Sequence, residues 1–142
     1  MTPLQGKTIL ITGASAGIGR ACAVQLAQAG ADIIALGRRQ DALDALAASF
    51  PLGQVRTMAG DLNDEAFVKR VEAIAPEVDA FVNNAGVLRY APLLELSPQD
   101  CQWMFQTNVL AALRLTQGIA RAMVANKRGH IVFMSSIAAR EV

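Results

Sequence analysis

The sequence is short of the residues that metal and redox sites need. Of its 142 residues one is histidine, His130, and two are cysteines, Cys22 and Cys101, which lie far apart with no paired spacing. That scarcity argues against a His/Cys metal centre and against a disulfide framework, and Cys22, in an Ala-rich helix-like segment, reads as a buried free thiol. No apolar run reaches the roughly 18 uninterrupted residues of a membrane span. The start, Met1-Thr2-Pro3-Leu4-Gln5-Gly6-Lys7, has no charged region followed by a signal-type apolar core, so a soluble cytoplasmic protein is expected. Lys/Arg runs are missing too: the net charge is +1 with both signs interleaved, and neither a nucleic acid nor a membrane is the expected partner. Tyrosine occurs once, at Tyr90.

What is present is a composition 53% hydrophobic and 18% charged, that of a globular chain of one domain with a substantial core. Short β-branched or apolar runs alternate with longer Ala/Leu-rich runs at helical spacing, the pattern of βαβ units on a parallel sheet. It predicts strands over Thr8–Ile11, Asp32–Leu36, Gln54–Met58, Ala80–Val82 and His130–Ser135. Helices are predicted over Ile18–Ala29, Arg39–Ser49, Asp64–Ile74 and Thr107–Ala125, with a short one starting at Ser97-Pro98. Strands such as Ile131-Val132-Phe133-Met134 are apolar on both faces, as when helices cover both sides of a sheet. The expected fold is α/β: a Rossmann-like doubly wound parallel sheet of about five strands, with the loops after the strands gathered at one edge.

The first of those loops reads Thr12-Gly13-Ala14-Ser15-Ala16-Gly17-Ile18-Gly19. A helix N-terminus presents unpaired N–H groups and a partial positive charge, and a loop without bulky side chains lets a phosphate reach them. Gly13 would allow the tight turn, Gly17 the close approach of a pyrophosphate, and Gly19 the packing of the helix on the sheet. The spacing differs from the usual G-x-G-x-x-G fingerprint, and no Gly-Lys-Ser/Thr follows to make a P-loop; an ordinary glycine turn is the competing reading. After the second predicted strand comes Gly37-Arg38-Arg39, where dinucleotide sites often carry an acidic residue for a ribose 2′-OH. Two guanidinium forks there suit a 2′-phosphate, so NADP(H) is expected over NAD(H); the competing reading has both arginines solvated at a helix start. Asp61 and Asn83-Asn84-Ala85-Gly86 follow the third and fourth strands, and the topology makes all four segments neighbours.

Together with Asn108 in Thr107-Asn108-Val109, and Ser135-Ser136 after Gly129-His130-Ile131-Val132, these motifs stand in an order and spacing that are highly specific. The sequence resembles the short-chain dehydrogenase/reductase family, in its compact single-domain branch, over essentially its whole length. The resemblance implies that the glycine loop, with Ser15 and Ile18, holds the pyrophosphate and the nearby ribose. It implies that Asp61 accepts from the adenine amino group beside Leu62, and that Asn84, Ala85 and Gly86 line the middle of the cofactor. Asn83 fits equally as a structural tie between strands. The implied chemistry is hydride transfer between nicotinamide and a small-molecule alcohol or carbonyl. Ser136 would hydrogen-bond the substrate oxygen, and Asn108 would hold a water of a proton relay through a local break in the long helix; outside this context both serines would read as turn formers.

Members of the family complete the site with a Tyr-x-x-x-Lys soon after this serine. Here the sequence reaches Arg140-Glu141-Val142 without one, and Tyr90 is followed four residues later by Leu94. The expectation is that residues 1–142 are the incomplete, cofactor-binding N-terminal part of a longer homo-oligomeric enzyme, inactive alone, whose last strand exposes a flat apolar edge. A non-catalytic dinucleotide-binding or regulatory module is the alternative, and a structural protein on a degenerate fold a third reading.

Overall fold

Thr8–Thr12 forms β1, whose β-branched and leucine side chains are buried on both faces of a sheet. The structure, a computed structural model, describes residues 3–137, and the tail ending in Arg140-Glu141-Val142 lies outside the described residues. Strand β2 (Asp32–Gly37) runs parallel to β1 in the register Thr8↔Asp32 to Thr12↔Leu36, and β3 (Val55–Ala59) lies parallel outside β2. The chain then crosses back, placing β4 (Ala80–Asn83) on the other flank of β1 and β5 (His130–Phe133) beyond it. The order β3-β2-β1-β4-β5 switches direction between β1 and β4. Open α/β sheets leave a crevice at such a point, beyond the carboxyl ends of their strands. The five-stranded, doubly wound parallel fold expected from the sequence is the fold observed.

Side-chain alternation divides the core into two layers. Leu10, Leu36 and Phe81 pack with α3 (Glu65–Ala73) and α5 (Ala112–Ala125) through Phe67, Val71, Leu115 and Ile119. Ile9, Ile11, Ile33 and Val82 pack with α1 (Gly17–Gln28) and α2 (Gln40–Ala47) through Ala23, Ala27, Leu43 and Leu46. Helix α1 buries only Gly19, Ala23 and Ala27, small residues that let it lie close to the sheet.

The helix starts are of two kinds. Helices α3 and α4 (Pro98–Phe105) carry their own caps: Asp64 Oδ1 accepts from the Ala66 N–H at 2.9 Å, and Ser97 Oγ accepts from the Asp100 N–H at 3.1 Å. Helices α1 and α2 follow Ala16 and Arg39 with no side-chain cap bond. Both uncapped starts lie at the crevice.

Three boundaries differ from the sequence reading by more than one residue. The sequence carries the last strand to Ser135, whereas β5 ends at Phe133; the Met134 N–H still donates to Asn83 O at 2.9 Å, and beyond Asn83 the neighbouring strand has ended. The helix expected from Thr107 begins earlier, because α4 continues through a π-turn at Gln106–Ala111 into α5. No proline or glycine separates the two, so the chain widens one turn instead of breaking. Helix α2 stops at Ala47, and the Ser49 and Phe50 N–H groups turn back to the Leu46 and Ala47 carbonyls. Among the described residues β5 is one of the two edge strands, β3 being the other, and its Val132 and Phe133 are 48% and 59% exposed. An exposed apolar strand at this edge is what the sequence predicts.

Candidate functional site

The strand ends around the switch point open on a cleft of about 440 Å³. Gly13, Ser15 and Gly17 wall it from the first loop, Arg38 and Arg39 from the turn after β2, Asp61 and Leu62 from the loop after β3, and Asn84, Ala85 and Gly86 from the loop after β4. All four segments singled out in the sequence therefore meet.

The glycines of the first loop have different neighbours. Gly13 and Gly17 have φ of +69° and +53°, values that strain any residue with a Cβ. A Cβ on Gly13 would stand 2.8 Å from Asn84 Nδ2, and one on Gly19 would overlap the Gly13 carbonyl and the same amide. A Cβ on Gly17 would meet no protein atom within 4 Å. Packing requires the first and third glycines to be bare; at the second, space is left open toward the cleft. Ile18 and Gly19 are not themselves among the lining residues, Ile18 being exposed on α1 and Gly19 packed beneath the turn.

Thr12, in the sequence only the first letter of the glycine motif, is a hub in three dimensions. Its buried hydroxyl accepts from the Asn84 and Ala85 N–H groups at 3.0 and 2.9 Å and donates to Asn83 Oδ1 at 3.4 Å. Asn84 Nδ2 returns a bond to Thr12 O at 3.0 Å. The strand tie that the sequence offers to Asn83 is thus carried mainly by Asn84 and Thr12, and Asn83 Nδ2 is buried without a hydrogen-bond partner among the described residues. A threonine ending a buried strand was the available signal, because a buried hydroxyl needs partners. Thr12→Val keeps the shape but orphans two N–H groups, and is expected to lower the unfolding free energy by about 2 kcal/mol in urea titration.

Charge is distributed unevenly along the cleft. Arg39 Nη2 donates to Ser15 O at 3.2 Å, which holds one guanidinium against the glycine loop, while Arg38 lines the cleft beside it. Asp61 Oδ1 receives the Asn63 N–H at 2.8 Å and Asn63 Nδ2 at 3.1 Å. The arrangement favours an anion between the α1 start and the arginines, and a hydrogen-bond donor near Asp61. Asn63, Phe67 and Thr107 also line the cleft and were not legible as site residues.

Asn108 and Ser136 lie outside the cleft lining. Asn108 sits in the π-turn with its amide doubly engaged: Nδ2 donates to Val87 O at 2.8 Å, and Oδ1 accepts from the Val87 N–H at 2.7 Å. It clamps the chain immediately after Gly86. Ser136 is exposed beyond the end of β5, at the same edge of the sheet. Tyr90 is exposed on the segment after Val87 and does not line the cleft.

Comparison with known proteins places this geometry. The short chain dehydrogenase family model matches residues 7–142. Gluconate 5-dehydrogenase of Gluconobacter oxydans is 37% identical over 140 residues, which cover 94% of this chain and 55% of that protein. L-xylulose reductase of Mesocricetus auratus is 38% identical over 139 residues, covering 96% and 56%. A crystal structure from Beutenbergia cavernae, provisionally assigned as an NAD(P) dependent gluconate 5-dehydrogenase with bound NADP at low occupancy, superposes with a TM-score of 0.86 at 35% identity over 97% of this chain and 57% of that one. The chain spans about half the length of the curated relatives it matches. With the glycine loop, the switch-point cleft and a family match over nearly every residue, the chain belongs to the short chain dehydrogenase family.

Proposed function

We propose that residues 1–142 form the dinucleotide-binding domain of an NADP(H)-dependent oxidoreductase that interconverts small-molecule alcohols and carbonyls. The observation that carries the reading is the convergence on one cleft of the uncapped α1 start, the Arg38-Arg39 turn, Asp61 and the Asn84–Gly86 loop. The residues present fit a dinucleotide. Gly17 leaves open space at the head of a helix whose first amides have no side-chain cap, the surroundings a diphosphate needs.

In this reading Gly13, Ser15, Gly17 and Ile18 hold the diphosphate and the adjoining ribose, with Gly19 setting the helix against the turn. Arg38 and Arg39 provide the charge-assisted donors that select a 2′-phosphate, a choice supported by the NADP in the Beutenbergia cavernae structure. Asp61 accepts from the adenine amino group beside Leu62, and Asn84, Ala85 and Gly86 line the middle of the cofactor. When bound, the cofactor supplies the hydride donor or acceptor. Ser136 orients the substrate oxygen, and Asn108 fixes the Val87 segment while holding a water of the proton relay. No Tyr-x-x-x-Lys lies within these residues, so the chain alone binds cofactor without turning over a carbonyl, and a further segment of a cytoplasmic homo-oligomer supplies the general acid. The same observation favours, as second reading, a dinucleotide-binding module without turnover.

Calorimetric titration of the chain is expected to give saturable heat with NADP⁺, tighter than with NAD⁺; no heat with either would overturn the reading. Adding NADPH and a panel of carbonyls to a longer protein containing this chain then separates the two alternatives. Nicotinamide oxidation is expected for the enzyme, and binding without oxidation for the module.

A further inference from the structure

The two ends of the cleft are joined by hydrogen bonds that pass through Asn63. Its backbone N–H donates to Asp61 Oδ1 at 2.8 Å, and its Nδ2 donates to the same oxygen and to Thr107 Oγ1, each at 3.1 Å. Thr107 is 44 residues further along the chain, in the π-turn and directly before Asn108. Asn108 in turn grips the Val87 backbone through its two amide bonds. A continuous run, Asp61 to Asn63 to Thr107-Asn108 to Val87, therefore crosses from the loop after β3 to the loop after β4. Four of its members, Asp61, Asn63, Thr107 and Val87, line the cleft.

Two further observations give the run weight. Helix α4 buries no residue and the π-turn buries only Ala111, so apolar packing does little to place Thr107 and Asn108, and polar bridges carry a larger share. Asn63 also bears a penalty: its Oδ1 is buried with no hydrogen-bond partner among the described residues, a loss that a smaller side chain would avoid. What asparagine provides, and alanine or serine would not, is one NH₂ group long enough to reach both the carboxylate and the threonine hydroxyl.

We propose that Asn63 is a positioning residue that couples the Asp61 end of the cleft to the π-turn carrying Asn108, so that occupancy by the adenine half of a cofactor orders the segment beside the reacting half. The inference rests on the dinucleotide reading above. A ligand held through Asp61 steadies that carboxylate, Asn63 transmits the restraint to Thr107, and the next residue along the turn, Asn108, fixes Val87.

Adenosine 2′,5′-bisphosphate tests the coupling, because it offers the adenine and the 2′-phosphate but no nicotinamide. Its binding to the chain is followed by calorimetry, and amide hydrogen exchange is followed over residues 106–111. In the unsubstituted chain the ligand is expected to slow exchange in the π-turn. In Asn63→Ala and in Thr107→Val the ligand still binds, about three- to tenfold more weakly, and the slowing is lost; Thr107→Ser, which keeps the hydroxyl, retains both. Slowing that persists in Asn63→Ala and Thr107→Val overturns the coupling, as does binding that leaves the π-turn of the unsubstituted chain unchanged. Absence of saturable binding by the unsubstituted chain overturns the NADP(H) reading of this cleft, and the coupling argued from it.

Discussion

Gly17→Ala is expected to weaken NADP⁺ binding at least about tenfold, a loss of about 1.4 kcal/mol or more, while the chain keeps most of its stability. The structure separates the two effects. A methyl group at this position touches no protein atom within 4 Å, so folding bears only the strain of a positive φ, about 1–2 kcal/mol. The same methyl stands at the cleft wall beside the uncapped start of α1, where a diphosphate must come within hydrogen-bonding distance of the backbone amides. Gly19→Ala has the opposite balance. Its methyl overlaps the Gly13 carbonyl and the Asn84 amide, so the helix must move off the turn, with a cost in stability of about 1–3 kcal/mol. Urea titration and calorimetry on the two variants check the pair: NADP⁺ affinity unchanged in Gly17→Ala would separate this loop from phosphate binding.

The second large effect is expected at Arg38. Arg38→Asp removes a charge-assisted donor, worth about 1.5–3 kcal/mol where it pairs with a phosphate, and puts a repelling carboxylate in its place. The ratio of NADP⁺ to NAD⁺ affinity is therefore expected to fall at least about thirtyfold. NAD⁺ binding should improve, since a carboxylate accepts from a ribose 2′-OH. Arg38→Ala is the control: it loses NADP⁺ affinity without a gain for NAD⁺. Arg39, tied to Ser15 O at 3.2 Å, lines the cleft beside Arg38, and its substitution should lower affinity for both cofactors by also loosening the glycine loop. A preference for NADP⁺ that survives Arg38→Asp would remove Arg38 from this role.

The parts of this site that were legible in the sequence depend on local chemistry. Runs such as Thr8-Ile9-Leu10-Ile11 fix a strand buried on both faces, and glycines after it fix a bare turn, because both follow from the chain within a few residues of themselves. The helix start at Ser97-Pro98 was readable for the same reason, and in the structure Ser97 caps that helix. What stayed hidden depends on partners far along the chain. The Thr12 hydroxyl acquires its role only when β4 arrives alongside β1, seventy-odd residues later. The Asn63 amide means nothing until Thr107 comes within 3.1 Å. The extent of β5 was misread because a ladder ends where its neighbour ends, at Asn83, whatever the apolar run itself would permit. Composition hid the π-turn, since Gln106–Ala111 reads as ordinary helix and the Asn108 amide finds its partner, Val87, on a loop outside it; only the family resemblance implied a local break at Asn108.

The central claim, that an anionic dinucleotide seats its diphosphate on the bare amides between β1 and α1, is tested most directly by a crystal structure of the chain grown with NADP⁺. The predicted result is diphosphate density against residues 13–19 with the 2′-phosphate beside Arg38. Nucleotide density elsewhere on the molecule, with those amides left to solvent, would contradict it.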